Sequence, residues 1–268
     1  MANAALAAIV ASGFSVAAPG EAAAFKLFGF QLWGSEEEED QTIADPVRYD
    51  VTFEPATGDR DLDDSLKSAS TLLADENRPV SGSLGLLTKA RNERELLVAA
   101  LYADARYDGV VNIAIEGRPL DDIPIDAVFD TSRPVPVTVS VQPGDVFRFG
   151  NVRLSGDAAD LAPVRFGLVP GDEAGSGVIL KAETEIVRAL KEEGRPLARV
   201  VGREVVADHA TRTLDVTLDL SAGPIAPYGD TSVSGAEQVD SDFIAYMTGL
   251  PRGRTYSPQE IDDARERL

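Results

Sequence analysis

The stretch Val139-Ser140-Val141-Gln142-Pro143-Gly144, followed by Phe149-Gly150 and Val152-Arg153-Leu154-Ser155-Gly156, occurs in a related form later in the chain. The second copy is Leu218-Asp219-Leu220-Ser221-Ala222-Gly223, Tyr228-Gly229 and Thr231-Ser232-Val233-Ser234-Gly235. Each of the three glycines in the first copy has a counterpart 79 residues later: Gly144 and Gly223, Gly150 and Gly229, Gly156 and Gly235. Gly171 and Gly253 also match, at a spacing of 82 residues. Matches at a nearly constant spacing indicate a repeated module of about 80 residues.

The first module begins upstream of this stretch, at residue 47. Residues 47–54 alternate between apolar and polar side chains, which predicts a half-buried strand. Apolar residues at helical spacing predict one helix over Asp61–Asp75, with Asp61 as its N-cap, and a second over 86–105. Alternation returns at 110–116 and 135–141, on either side of an irregular stretch rich in Pro and Asp. The predicted order is β-α-α-β-β.

The second module repeats this order. A strand is predicted at 147–154, with a bulge at Gly150, and a short helix or turn at 160–168. A long helix is predicted at 178–193, and a hairpin with strands at 200–207 and 214–220 follows it. His209 falls in the predicted hairpin turn.

A third module begins near Tyr228 and shows the same early elements. A short helix is predicted at 242–248, and Ser257-Pro258-Gln259-Glu260 has the pattern of a helix start, with Ser as N-cap, Pro at N1 and Glu at N3. Leu268 lies inside that helix, so we expect this sequence to be the front of a longer protein.

The composition excludes several kinds of site. The 268 residues include 45 Asp and Glu against 25 Lys and Arg, a net charge of −20, with no Cys and one His. Without Cys there is no disulfide framework, no Cys-ligated metal and no Cys nucleophile, and a single His cannot form a His-pair metal site. The negative charge disfavours a nucleic-acid partner. We expect no metal and no cofactor.

The catalytic motifs that the chain could offer are incomplete. A turn position for His209 favours a solvent-exposed residue over the base of a catalytic triad. Gly175-Ser176-Gly177 begins like a dinucleotide-binding loop but lacks the third glycine of that motif. No G-x-S-x-G elbow occurs, and adjacent acidic pairs such as Asp121-Asp122 are interpreted as solvated charge. The sequence therefore predicts a protein that is not an enzyme.

The first 46 residues differ in composition from the modules. Residues 1–24 are predicted to be a secretory signal peptide, because a stretch of small apolar residues ends in Pro19-Gly20 and in an A-x-A cleavage pattern at Ala22-Ala23-Ala24. Residues 25–46 are predicted to be an acidic tether. It contains an apolar, aromatic cluster at 25–33 and five consecutive acidic residues, Glu36–Asp40, which we interpret as a solvated linker.

A β-α-α-β-β unit repeated behind an export signal resembles the polypeptide-transport-associated (POTRA) domain of the Omp85 superfamily. Pro143-Gly144 and Gly223-Pro224 end the last strand of each module, and the patterns G-x-V-x-L-x-G and G-x-T-x-V-x-G that follow are typical of these repeats. In the first module, Leu86–Arg91, Tyr107-Asp108 and Ile115–Pro119 resemble the TamA family, the outer-membrane subunit of the translocation and assembly module.

The resemblance implies an α+β fold of tandem β-α-α-β-β repeats, each a three-stranded mixed sheet covered by two helices. It divides the chain into POTRA 1 (47–144), POTRA 2 (145–224) and a truncated POTRA 3 (225–268). In the family these domains precede an outer-membrane barrel, which this sequence lacks.

The function that the resemblance implies is the assembly or translocation of outer-membrane proteins such as autotransporters, from the periplasmic side of the cell outer membrane. The implied partners are client outer-membrane polypeptides and a TamB-like inner-membrane partner. One alternative is the POTRA region of a two-partner secretion transporter or of a barrel-assembly subunit. Another is a periplasmic carbohydrate- or peptidoglycan-binding module, which exposed aromatic platforms would mark.

In the family the second strand of each unit lies at a sheet edge, which here corresponds to Val110–Glu116 and Arg199–Ala207. An exposed edge can add a strand from another polypeptide through backbone hydrogen bonds that demand little of its sequence. We therefore predict two strand-augmentation edges, at Val111, Ile113 and Ile115 and at Val201, Arg203 and Val205. The alternative is that these are ordinary strands shielded by neighbouring modules or charges.

Overall fold

The computed structural model describes residues 25–27, 30–33, 43, 45–55, 57–234 and 239–268. The predicted signal peptide at 1–24 and the acidic run at 36–40 lie outside the described residues. Residues 1–43 form a unit of their own, in which β1 (Phe25–Leu27) pairs antiparallel with β2 (Phe30–Trp33). The fold described below belongs to the other unit, Ala44–Leu268.

The first module is a sheet covered by helices. Its elements are β3 (Pro46–Val47), β4 (Tyr49–Glu54), α1 (Arg60–Ala69), α2 (Thr71–Ala74), β5 (Val80–Ser81), α3 (Gly82–Ala103), β6 (Val110–Ile115), β7 (Arg118–Pro119) and β8 (Val135–Gln142). The strand order is β4-β8-β6-β7, with β4 parallel to β8 and β6 antiparallel to it. The α+β class and the order of the main elements agree with the prediction, but the two-residue strand β7 makes this a four-stranded sheet.

Two predicted elements of this module are interrupted. The first strand breaks at Arg48, because Val47 pairs with Val80 whereas the strand from Tyr49 onward pairs with β8. The predicted helix 61–75 is two helices that meet at Ser70, whose extended backbone ends α1 and whose hydroxyl caps α2. The N-cap of α1 is Asp59 and not Asp61, since the Asp59 carboxylate accepts hydrogen bonds from the backbone amides of Asp61 and Leu62.

The second module has fewer strands and a single long helix. Its elements are β9 (Arg148–Gly156), a 3₁₀ turn at Pro163–Phe166, α4 (Ser176–Glu192), β10 (Arg199–Asp208) and β11 (Thr213–Ser221). The strand order is β10-β11-β9, with β10 antiparallel and β9 parallel to the central β11. The predicted bulge is present, because the register shifts by one residue between Phe149 and Val152 of β9.

Each module has its own hydrophobic core between the sheet and the long helix. In the first, leucines of the helices meet every second residue of β8, and in the second, residues of α4 meet every second residue of β11. The central residues are Leu66, Leu86, Leu97, Val135, Val137 and Val139 in the first core and Ile186, Leu190, Leu214, Val216, Leu218 and Leu220 in the second.

The third module contains α5 (Ser241–Met247) and α6 (Pro258–Arg267). Ser257 caps α6 with its hydroxyl, and Pro258 occupies the first turn, as the sequence predicts. The matched segment 228–234 forms no strand, and an isolated bridge joins Pro227 to Thr255. In the second module the equivalent strand β9 pairs in parallel with β11.

The two joints between modules use the same hydrogen bonds. At the first, the Phe147 amide donates to the Ala105 carbonyl, and the Ala174 amide donates to the Phe147 carbonyl. At the second, Ala226 is bonded in the same way to Gly194 and Tyr256. At both joints an arginine guanidinium also donates to the carbonyl of the glycine that ends the previous module, Arg106 to Gly144 and Arg195 to Gly223.

Among the described residues, no helix combines the length and the apolar character that crossing a bilayer requires.

Candidate functional site

The outer strand of the second module is β10. It pairs with β11 on one side, and no described strand pairs with its other side. Apolar side chains along it are exposed, with exposed fractions of 46% for Val201, 37% for Val205 and 53% for Val206. An outer strand with free backbone groups and exposed apolar side chains is a surface on which another extended chain can add.

The register of β10 decides which of its side chains face the helix. Arg203 and Val205 lie opposite Leu218 and Val216, whose buried side chains point into the core, so they lie on the helix-facing side of the sheet. Glu204 lies opposite Thr217 and faces the other way. The predicted residue Val201 is the extra residue of a bulge, because the pairing passes from Val200–Leu220 directly to Gly202–Asp219.

An ion pair ties this edge strand to α4. The guanidinium of Arg203 donates to both carboxylate oxygens of Glu183, whose side chain is 11% exposed against 30% for Arg203. The hydrogen bond to Glu183 raises the pKa of Arg203 above its usual value. This pair covers the helix-facing side of the edge, at the position where the first module has an apolar residue.

An open cleft of about 610 Å³ adjoins the same edge. Its walls come from α4, from the start of β10 and from α6 of the next module, with Val187, Val200, Lys191, Pro258 and Asp262 among the lining residues. The cleft places apolar and charged groups side by side along the groove between the helix and the edge strand, so that an added strand could place side chains there.

The predicted edge of the first module is placed differently. Val111, Ile113 and Ile115 face the core, with exposed fractions of 6%, 4% and 0%. The two residues of β7 pair with Ala114 and Ile115, on the side of β6 opposite β8. The prediction of an open edge is therefore corrected for the end of β6, because the chain that follows it folds back against it. No described strand pairs with Val110–Ile113 on this side.

The stretch 117–134 contributes to the core of the first module, which the sequence reasoning missed. Leu120, Ile123 and Phe129 are 2–3% exposed and belong to that core, and the Phe129 amide donates to the hydroxyl of Ser83 in α3. The signal was present in the sequence as five large apolar residues among aspartates, of which Ile125 and Val128 are exposed, in a connection much longer than the turn at 209–212. Their spacing fits neither a helix nor a strand, so periodicity did not reveal them.

The hairpin turn of the second module places His209 against an aromatic ring. The His209 ring meets Phe147 edge-on at a centroid distance of 5.4 Å. Asp208 accepts hydrogen bonds from the amides of Ala210 and Thr211, and the bonds from Thr211 and Ala210 lower the pKa of its carboxyl. These contacts give the turn residues a structural role.

The open face of this sheet is polar. Asp215 accepts hydrogen bonds from the backbone amide and side chain of Asn151, which lower the pKa of its carboxyl. Within the described part of the chain, no three His, Asp or Glu side chains are grouped so that they could hold a metal ion.

Comparison with protein-family models and with curated proteins found no match. Among solved structures, the chain is similar to POTRA domains 3–5 of BamA from Haemophilus influenzae, with a TM-score of 0.55 and 17% sequence identity over 83% of this chain and 85% of that one. The chain has the POTRA fold. POTRA domains 1–3 of the periplasmic domain of Omp85 from Anabaena also match, with a TM-score of 0.39 and 14% identity over 83% of each chain.

The POTRA fold explains why the sequence repeat governs the architecture. Each repeat supplies one sheet and its covering helices, and Gly144 and Gly223 lie where the last strand of one unit passes into the next. Gly144 and Gly223 both have positive φ angles, of 69° and 68°, and a Cβ at Gly144 would lie 2.0 Å from Asp108 Oδ1. Glycine is required at this turn for both conformation and space.

Proposed function

We propose that this chain is the periplasmic POTRA region of a TamA-like factor that assembles or translocates outer-membrane proteins, including autotransporters. The observation that carries the proposal is a tandem POTRA fold in which an exposed edge strand, β10, lies beside a helix-lined cleft. The similar structures are described as POTRA domains of BamA and as the periplasmic domain of Omp85, which supports a location on the periplasmic side of the outer membrane.

The proposed organisation follows from this function. Residues 1–24 direct export, residues 25–46 are a tether, and the POTRA units cover 47–144, 145–224 and 225–268. The partners are client outer-membrane polypeptides and a TamB-like protein of the inner membrane. The chain acts by binding and positioning its clients and not by catalysis.

The proposed mode of client binding is strand addition to β10. Backbone hydrogen bonds from the free side of this strand hold an extended client without requiring a particular sequence. Side chains on one face of the added strand point toward α4, beside Arg203 and Val205, and those on the other face point toward solvent. Such an edge suits a factor that handles many different clients before they fold.

The distribution of aromatic side chains supports this proposal over carbohydrate binding. Of the aromatic side chains that the structure describes, Phe243 and Tyr246 on α5 are exposed, and the others are buried or half-buried. Neither lines the cleft beside β10, whose lining consists of aliphatic, charged, hydroxyl and amide groups.

Photo-crosslinking tests the proposed binding mode. A photoreactive p-benzoylphenylalanine replaces Glu204 on the edge strand or, as a control, the exposed Glu185 on α4. The probe is an uncharged synthetic peptide of alternating apolar and polar residues. We expect it to crosslink at position 204 and not at 185, and expect an N-methylated form, which cannot donate backbone hydrogen bonds, to lose the crosslink. Equal crosslinking by both peptides, or none, would refute strand addition.

A further inference from the structure

We infer that residues 117–134 close off the sheet edge of the first module from the end of β6, within the same chain, so that β10 of the second module is the edge open to clients. We call this stretch the insertion. The inference rests on the proposed function, because it states which of two equivalent edges carries out strand addition.

The edge strands β6 and β10 occupy equivalent positions, because each pairs in the same register with the last strand of its module, β8 or β11. Ile113 pairs with Val139 and Ile115 with Val137, whereas Arg203 pairs with Leu218 and Val205 with Val216. The partners Val139 and Leu218 are 79 residues apart in the sequence, and so are Val137 and Val216, which is the spacing of the repeat. Ile115 and Val205 are therefore matched positions, and so are Ala114 and Glu204, which pair with Thr138 and Thr217.

The exposure of matched residues shows that something covers one edge and not the other. Ile115 is 0% exposed, whereas Val205 is 37% exposed. The covering group is the insertion, since β7 pairs with Ala114 and Ile115 and the 3₁₀ turn Leu120–Asp122 follows directly. In the second module the matching connection is the short turn 209–212, which does not return along β10.

The insertion is fixed along the groove between β6 and α3. Leu120 and Ile123 are buried in the core at 2% and 3% exposure. Phe129 is also buried, and its amide is bonded to Ser83 at the start of α3. The chain therefore runs from the edge of β6 toward the N-terminus of the helix, over the end of the groove where a client strand would have to lie.

The ion pairs of the two helices differ in a way that fits this arrangement. Counting back from the matched arginines Arg106 and Arg195, Arg94 on α3 corresponds to Glu183 on α4. Arg94 donates to Asp121 of the insertion at 2.7 Å, whereas Glu183 binds Arg203 of its own edge strand. The same helix position thus holds the insertion in one module and the edge strand itself in the other.

The experiment compares matched edge positions in the whole chain. The photoreactive residue replaces Ala114 or Glu204, and the probe is the uncharged alternating peptide. In one background, residues 118–134 are replaced by the four-residue turn His-Ala-Thr-Arg of the second module. We expect crosslinking only at 204 in the natural chain, and at both 114 and 204 in the shortened chain, with bound peptide rising from one to two per chain.

A second variant keeps the test decisive if the shortened chain does not fold. The double substitution Leu120→Asp with Asp121→Lys leaves Phe129 in place but loosens the turn and places a positive charge beside Arg94. We expect it to expose position 114 to the peptide as well, while circular dichroism confirms that the chain is folded.

The outcomes separate this inference from the proposed function. Crosslinking at 114 in the natural chain, or no gain at 114 in a folded variant that still crosslinks at 204, overturns the inference and leaves strand addition intact. If position 204 does not crosslink to the peptide in the natural chain or in either variant, the proposed function through strand addition to β10 is overturned. A gain confined to position 114 of the variants supports the inference.

Discussion

Glu93 is a buried carboxylate on α3. It is 0% exposed and accepts hydrogen bonds from the hydroxyls of Ser70 and Thr71 and from the amides of Thr71 and Leu72. These amides belong to the first turn of α2, where backbone donors lack partners within the helix. One side chain from α3 thus caps a neighbouring helix and fixes the break between α1 and α2.

Replacement of Glu93 by alanine is expected to lower the free energy of unfolding by about 3 kcal/mol, because several buried donors lose their acceptor. Urea unfolding followed by circular dichroism measures this effect. The control is Glu95→Ala, which removes the same charge from an exposed position of the same helix and should change stability by less than about 0.5 kcal/mol. Equal effects of the two substitutions would contradict the capping role.

Tyr49 makes the first module sensitive to alkaline pH. Burial, followed by the negative charges of Asp75, Glu93 and Glu76, raises the pKa of Tyr49 from 10.0 to about 12, and its hydroxyl donates to the Asp75 carbonyl at 2.8 Å. The unfolded chain loses this proton near pH 10, whereas the folded chain keeps it. The contribution of the protonated Tyr49 hydroxyl to the stability of the folded chain is therefore complete below pH 10 and is lost as the pH rises to about 12.

The Tyr49→Phe variant should be less stable than the natural chain at pH 8, by about 1 kcal/mol for the lost hydrogen bond. This gap should narrow or reverse between pH 10 and pH 12, since only the natural chain has the Tyr49 proton to lose. The control is Tyr246→Phe, at a side chain that is 80% exposed, which should have the same free energy of unfolding as the natural chain at every pH. Urea unfolding at each pH measures the gap, and a constant gap for Tyr49→Phe would contradict the assignment.

At the scale of the element, β10 combines an outer side that no described strand pairs with and two features that limit edge pairing. The bulge at Val201 shifts the register, and Arg203 places a charge on the helix-facing side where a strand would otherwise present an apolar residue. Bulges and inward-pointing charges are means by which natural sheets limit uncontrolled edge pairing. These two features therefore limit uncontrolled pairing at this edge while its backbone groups stay accessible.

A double-mutant cycle on Arg203→Ala and Glu183→Ala measures how strongly this edge is tied to α4. We expect a coupling free energy of about 1 kcal/mol, reduced by the partial exposure of the arginine. The matched control is Lys181 with Glu185 on the same helix, 3.9 Å apart and more exposed, for which we expect less than about 0.5 kcal/mol. Equal coupling in the two pairs would show that the edge pair has no special role.

At the scale of the whole molecule, the repeated joints control how one POTRA unit follows another. The first joint is packed around Phe147, which is 0% exposed and meets Tyr107 edge-on, with the Tyr107 hydroxyl donating to the Ala174 carbonyl at 2.7 Å. The second joint keeps the backbone bonds but has Ala226 at the position of Phe147. At this position the first joint therefore buries a large aromatic side chain, and the second has a half-buried alanine.

The two modules approach each other closely at Gly175, where an added Cβ would lie 2.4 Å from the Ala103 carbonyl oxygen. Gly175→Val should force the first two modules apart and change their distance distribution. Spin labels on Ser68→Cys and Thr184→Cys report that distance by electron–electron resonance, since the chain has no other cysteine. Gly177→Val, at a site with no atom within 4 Å, should leave it unchanged, and the same result at Gly175 would refute a tight joint.

The repeat and the alternation of side chains were sufficient to predict the fold class, the order of the main elements and the helix start at Ser257. These features depend on local pattern: period-2 alternation marks strands such as β8 and β11, and capping residues mark helix ends. The break at Ser70 and the cap at Asp59 were missed, because they depend on which backbone amides a side chain reaches.

The sequence by itself determined that the chain is a tandem array of β-α-α-β-β units without the cysteines and histidines of common metal and catalytic sites. It could not decide which of two similar strands is open, since Val110–Ile115 and Arg199–Asp208 have the same place in the repeat. Only the tertiary structure distinguishes them: in the described part of the chain, two residues of the insertion pair with the end of β6, and no strand pairs with the outer side of β10. The physical reason is that burial of Leu120, Ile123 and Phe129 depends on contacts with α3 and β6, which are distant in sequence and invisible to local periodicity.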